Sequence, residues 1–296
     1  MKSDEIVMKR LCIIFLTVFA VISCEQVRPD DDPETVEVVL SLNSAPLAKA
    51  DSPLIPDVEN LIYDVWILQY DKMGLLIDMG TSHARATSSG SLTATVTTTF
   101  AVGDGNTICV LANLDRGDAS AVRKWPQSLT EFKTSCSVVD LSADIDAANA
   151  GTLTDMPMFG YWEGNVSVET NNVQVSLGRM LTRVNLFINN QSSSTQTVTS
   201  ISNVSKKVYA FPNVDHAALP AEAYNEIAIN QSVAAGNAKE LYFYMAPNFT
   251  ETETNATKLN IAGKEPVILS NGAPKDSPRD LNLYHNSNYT FTINIK

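Results

Sequence analysis

The sequence predicts an all-β protein built from two antiparallel β-sandwiches, and three observations carry that expectation. Apolar and polar residues alternate at a period of two in segment after segment, Gly, Asn and Asp punctuate those segments, and stretches with helical periodicity are few. In ETVEVVLSLN, Val36, Val38, Leu40 and Leu42 share one face. In SLTATVTTTFAV, Leu92, Ala94, Val96, Thr98, Phe100 and Val102 face one way and four threonines the other. NYTFTINIK sets Tyr289, Phe291, Ile293 and Ile295 against Thr290, Thr292, Asn294 and Lys296. NLIYDVWILQYD, NTICVLANLD, NVQVSLG, TRVNLFINN, KELYFYMAPN and TKLNIAG read as further strands, with Asp71–Gly74 and Gly103–Asn106 as hairpin turns.

Two short helices are expected. SAVRKWPQSLTEF ends in a capping box, Ser128 with Glu131 three residues on. ADIDAANAG closes on Gly151, the residue type that best tolerates a left-handed helix end. EGNVSVETNN separates an aromatic loop from a fresh set of strands and marks the junction, around Gly164 to Asn172. The expected organisation is therefore a leader over 1–23, a tether over 24–35, and sandwiches over 36–168 and 169–296.

The leader reading rests on Leu11–Ile22, an apolar run behind Lys9 and Arg10. It is too short to span a bilayer of ~30 Å comfortably and has the length of a signal-peptide apolar region. Small Ser23 then precedes Cys24, and Val21-Ile22-Ser23-Cys24 resembles a bacterial lipobox, in which the cysteine is acylated and becomes the new N-terminus. A short membrane anchor with an incidental cysteine is the competing reading. Behind Cys24, EQVRPDDDPE is polar and proline-bearing, a solvated tether whose acids resemble the export tract of surface lipoproteins in Bacteroidetes-type bacteria.

Composition sets further bounds. A formal charge of −12 argues against nucleic acid and anionic lipid surfaces as partners. With Cys12 in the leader and Cys24 lipidated, Cys109 and Cys136 are left; the apolar strand around Cys109 favours a buried thiol over a disulfide. His83, His216 and His285 stand in polar, loop-like settings without a second ligand at metal spacing. No GxSxG, phosphate loop or supportable Cys–His pair is present, so neither an enzyme nor a bound cofactor or metal is expected. Glu163 in GYWEGN is the one carboxylate within an aromatic-rich segment, and Tyr161 and Trp162 beside it could stack on a sugar ring; aromatic anchors at a domain junction are the plainer reading. Arg116-Gly117-Asp118 spells a short integrin-type tripeptide that a surface turn also explains.

Several segments occur together in an order that resembles a known family. They are the alternating strand behind the lipid cysteine, LIYDVWILQYDKMGLLI, the strand end TICVLANLD, Met156-Pro157-Met158-Phe159-Gly160, the run from Leu177 through Arg179 to Val184, FYMAPN, and HNSNYTFTINIK. Taken in sequence across most of the chain, they resemble the Bacteroidales fimbrillins, the type V pilins. Phe159 and the missing acid before Asn248 depart from the family pattern.

The resemblance implies two transthyretin-like sandwiches, a structural or adhesive role in fimbriae at the outer membrane surface, and no catalysis. It also implies that a trypsin-like protease removes the first strand, here the one bearing Val36, Val38, Leu40 and Leu42, and that a strand from another fimbrial subunit fills the vacated groove. SAPLAKADSPLIPDVEN, long and glycine-free, is the expected protease-accessible segment; it contains Lys49 and no arginine. Stalk subunits of the family carry an extra strand-forming tail, whereas 290–296 alternates so regularly that its own sheet needs it. A tip or accessory subunit is the expectation, with a host or bacterial surface receptor as a further partner. A surface glycan-binding lipoprotein using Tyr161 and Trp162 is the alternative.

Overall fold

β-Branched residues and period-two patterning dictate strands, and in the computed structural model strands are the dominant element among the described residues. It describes residues 33–45, 49–50, 57–78, 81–87, 90–115, 122–134, 139–152, 155–211, 224–270 and 280–296. Thr35–Lys296 forms one compact unit.

The first sheet contains β1 (Thr35–Ser44), β3 (Asp64–Tyr70), β4 (Ser82–Arg85), β5 (Thr93–Ala101), β6 (Gly103–Ala112), β8 (Met158–Val166) and β9 (Asn172–Arg179), in the order β4-β3-β6-β8-β9-β1-β5. It folds over on itself where β8 meets β9, because only Met158 and Phe159 pair there, with Arg179 and Gly178. Gly160 sits at that corner, and a Cβ on it would lie 2.3 Å from the Ser176 carbonyl oxygen, so only glycine lets the two layers approach. Val65, Ile67, Ile108 and Val110 from one layer share a core with Val38, Leu40, Val96 and Val175 from the other. Gln69 ties the layers together, donating to Ala101 O (2.7 Å) and accepting from Ala101 N (2.9 Å).

The second sandwich packs two four-stranded sheets. One holds β14 (Ala238–Met245), β10 (Thr182–Asn190), β17 (Ser287–Ile295) and β2 (Lys49–Ala50) in that order. The other holds β13 (Tyr224–Val233), β11 (Gln196–Ser205), β15 (Lys258–Ile261) and β16 (Val267–Ile268). Val184, Ile188, Phe243, Tyr289 and Ile293 meet Val198, Ile201, Leu259 and Ile261 between them.

A third apolar cluster joins the sandwiches. Trp66, Leu68, Tyr70, Leu111 and Phe159 project from the outer face of the first; Phe132 of α1 (Leu129–Thr134) and Ile145 of α2 (Ser142–Asn149) cover them with Met180, Leu181, Phe211 and Tyr244. The strand pair β7 (Val139–Asp140) and β12 (Lys207–Val208) closes this junction. It explains why β3 is buried on both faces along its whole length.

The all-β expectation holds, with particular differences. The pairs β1–β9 and β10–β17 are parallel, so the sheets are mixed. Gly103–Asn106 is not a hairpin turn: β5 pairs with β1 while β6 pairs with β3 and β8, and the glycines form an irregularity in β6 opposite β8, with Gly105 at φ 61. The aromatic segment expected as a loop is strand β8. Of the described part of SAVRKWPQSLTEF only the end is helical, with Ser128 Oγ accepting from Glu131 N (3.1 Å) as the cap predicts. β9 lies beyond the expected boundary at 168/169, yet its hydrogen bonds place it in the first sheet, and the chain enters the second only at β10.

Candidate functional site

The strand closest to the amino end of the described chain is also an interior strand of its sheet. β1 runs antiparallel to β5, from Thr35 opposite Ala101 to Asn43 opposite Thr93, and parallel to β9, from Val39 opposite Asn172 to Ser44 opposite Leu177. Its inward residues are core: Val38 and Leu40 are 0% exposed and Leu42 3%, while Val36 packs against the edge of the cluster. The outward residues are polar apart from Val39, and side chains stitch the seam to β9, Asn172 Nδ2 donating to Ser41 Oγ (2.9 Å) and Asn43 Nδ2 to Ser176 Oγ (3.2 Å). Chemically, β1 is a plug: withdrawing it would expose backbone donors and acceptors on both β5 and β9 and, at the same time, an apolar trough.

The chain then leaves the first sandwich. Lys49 and Ala50 pair in parallel with Ser287 and Asn288 at the edge of the second, so Lys49 sits in the short strand β2. A 3-10 turn, Asp57–Asn60, next buries Glu59 at the junction at 5% exposure. Arg179 Nη1 reaches its Oε2 at 3.2 Å, Arg183 Nη1 its Oε1 at 3.2 Å, and the Tyr244 hydroxyl donates to Oε1. Burial lowers the Arg179 pKa to about 10, against the opposing pull of Glu59, so the guanidinium is still charged at neutral pH. Burial, followed by the Glu59 carboxylate, pushes the Tyr244 phenol up, which keeps its proton available for donation. Asn286 Oδ1 accepts from Arg179 N (3.2 Å), and His285 Nδ1 lies 3.2 Å from Arg179 O. Burial lowers the pKa of this histidine. The cluster welds the segment after Lys49 to both sandwiches.

The remaining sequence candidates are dispersed. Tyr161 and Trp162 are neighbours on β8 and so point to opposite faces. Tyr161 lies 4.9 Å from the Phe211 ring at the junction, whereas Trp162 packs against the first core. They do not form one sugar platform. Glu163 lies 3.9 Å from Lys133. His83 is on β4, stacked on Trp66 at 4.4 Å, and is not in a loop. Cys109 is a buried free thiol. Cys24, the acids through Asp32, Arg116-Gly117-Asp118, Cys136 and His216 lie outside the described residues. Among the described residues no group of His, Cys, Asp and Glu could hold a metal, and no helix is long and apolar enough to cross a membrane. Sequence reasoning gave no role to Glu59 or Tyr244; Arg179 and Arg183 figured only as positions in a motif run.

No family profile and no curated protein matches the chain. Solved structures do. The tip fimbrial protein Mfa3 from Porphyromonas gingivalis, with a C-terminal truncation, superposes with TM-score 0.56 at 16% identity, covering 88% of this chain and 94% of that one. A protein from Parabacteroides distasonis ATCC 8503 described as a cell adhesion protein gives 0.58 at 15% identity, covering 88% of each. Another so described, from Bacteroides eggerthii DSM 20697, gives 0.52 at 17% identity, with 90% and 88% covered. The chain therefore has the fold of Bacteroidales fimbrial and adhesion proteins.

Proposed function

We propose that the protein is a structural or adhesive fimbrial subunit of the Bacteroidales fimbrillin type, anchored at the outer membrane and assembled by strand exchange after proteolysis. One observation carries the reading: β1, which precedes the segment that holds Lys49, fills the middle of a sheet with Val38, Leu40 and Leu42 in its core. Strand addition uses this chemistry, with backbone bonds giving affinity and alternate side chains giving register. The fold shared with fimbrial and adhesion proteins supports the same reading.

Lys49 is the proposed trimming site. β2 pairs at only two positions on a sheet edge, and at about 1 kcal/mol net per hydrogen bond little is needed to draw it into a trypsin-like active site. Edman sequencing of material sheared from the cell surface is expected to begin at Ala50. An intact Thr35–Ser44 in assembled fibres would instead assign β1 a permanent place.

A tip or accessory position is proposed over a stalk position, supported by the fold shared with the tip fimbrial protein Mfa3; β17 itself is held in its own domain, paired with β10 from Ser287 to Ile295 with Tyr289, Ile293 and Ile295 buried. The test is to trim the protein and mix it with a donor-strand peptide from a stalk subunit. A stable complex is expected with the peptide and no ladder without it; self-polymerisation would overturn the tip assignment.

The proposed anchor is Cys24. Acyl chains contribute about 0.8 kcal/mol per buried CH₂, so several chains hold a protein at the membrane. Cys24→Ala is expected to abolish palmitate labelling and membrane retention, and labelling unchanged by the substitution would remove the anchor.

A further inference from the structure

The outer face of the sheet β14-β10-β17 is exposed, and register sets its side chains in rows. Tyr242, Asn185 and Thr290 lie side by side across the three strands, and Glu240, Phe187 and Thr292 form the next row. Tyr242 is 57% exposed and Phe187 39%, large rings to leave in water on a face that covers no core. Between them and β17 lies a groove of about 630 Å³, within the roughly 300–1,000 Å³ of small-molecule sites.

The floor of the groove is fixed. The Arg183 guanidinium lies 4.7 Å over the Tyr242 ring, and Tyr244 meets that ring edge-on at 6.1 Å. Arg183 is itself held by Glu59 and by Asn185 Oδ1 (3.2 Å). Asn185 Nδ2 donates to Asn288 Oδ1 and to Tyr289 O (3.0 Å). Tyr242 is thus braced from one side and open on the other. Glu240 and Thr290 flank it, and neither side chain has a hydrogen bond or ion pair among the described residues.

We infer that this groove binds a neutral pyranose-containing oligosaccharide, with the open face of Tyr242 as the stacking platform and Glu240 and Thr290 as hydroxyl partners. A pyranose offers an apolar C–H face to an aromatic ring and a rim of hydroxyls that donate and accept. Other occupants match less well. A purely apolar ligand would desolvate Glu240 and Thr290 without replacing their hydrogen bonds to water. An anion would meet the Glu240 carboxylate, and the nearest cation, Arg183, is already paired with Glu59. A strand added at the β14 edge would extend the sheet sideways and leave the groove on its face unfilled.

The test is saturation-transfer NMR of the purified full chain against lactose, cellobiose, mannobiose and chitobiose, with sialyllactose as a charged comparison. At least one neutral disaccharide is expected to receive saturation on its ring protons. Tyr242→Ala should weaken that binding about tenfold or more, whereas Tyr242→Phe, which keeps the ring, should change it by less than about threefold. Thr290→Arg, placed on an exposed strand position, should block the groove without touching Tyr242, and Tyr161→Ala should have no effect. Binding by none of the neutral sugars, binding by sialyllactose alone, loss of binding with Tyr161→Ala, or binding that survives both Tyr242→Ala and Thr290→Arg would each overturn the assignment.

Discussion

Leu40→Ala is expected to destabilise the intact chain by about 2–5 kcal/mol, the range for deleting a fully buried leucine side chain from a packed core. Leu40 is 0% exposed between the two layers of the first sandwich, opposite Val96 on one neighbour and Val173 on the other, so the vacated volume cannot be refilled from solvent. Val39→Ala, at 37% exposure on the same strand, is the control and should cost well under about 1 kcal/mol. If β1 is exchangeable, the same difference must reappear in binding. A peptide copying Thr35–Ser44 should rebind trimmed protein, and its Leu40→Ala version should bind at least about thirtyfold more weakly, since 1.4 kcal/mol is a factor of ten. Thermal melts read the first effect and calorimetric titration the second. A peptide that fails to rebind trimmed protein, or binds equally well without Leu40, would make β1 an ordinary core strand and remove the support for strand exchange.

How far this site could be read beforehand depends on the kind of signal each part carries. β1 was legible because one face of it meets a core and the other meets water, which writes a period of two directly into ETVEVVLSLN. β17 was legible for the same reason. β8 was not. Its buried half, Met158–Gly160, is covered by apolar residues on both sides, while the half from Tyr161 on alternates weakly around glycines, so MFGYWEGNV reads as a loop. The Gly103–Asn106 misreading has a related cause. Two glycines between alternating segments signal a hairpin, but the chain there crosses from one layer to the other, and only the pairing of β5 with β1 reveals it. The place of β9 is hidden for another reason: it is contributed to the first sheet by a stretch that looks like the start of a fresh set of strands, because its parallel partner β1 lies far back in the sequence.

Tyr161 and Trp162 illustrate a limit of composition. Adjacent aromatics look like a platform on paper, yet strand geometry sends them to opposite faces. Tyr242 and Phe187, which do lie on one open face, are far apart in sequence, and only the register of β10 with β14 brings them together.

Glu59 is the clearest case of a residue with no local signature, and its substitution carries the second large expected effect. Glu59→Gln should cost about 3–5 kcal/mol, because it removes the charge that compensates two guanidiniums in a buried setting. The side chains of Glu59 and Arg179 are 6% and 5% exposed and that of Arg183 17%, so solvent cannot replace the lost carboxylate and salt should screen the interaction little. The amide still offers an oxygen to the Tyr244 hydroxyl, so the loss reports charge more than hydrogen bonding. Tyr244→Phe, which deletes one hydrogen bond to a charged group, should cost about 1.5–3 kcal/mol. Denaturant melts of the intact chain at low and high salt check both values, and a Glu59→Gln cost under about 0.5 kcal/mol would mean the cluster relaxes or admits water. The same substitution bears on assembly. If the chain is cut at Lys49, Ala50 would become a free end, and the buried carboxylate nine residues on, 120 residues in sequence from Arg179, would tie the turn Asp57–Asn60 to the junction. Trimmed Glu59→Gln protein should therefore lose residues 50–60 to an added protease faster than trimmed wild type. Equal rates would show that apolar packing around the turn is sufficient to hold it.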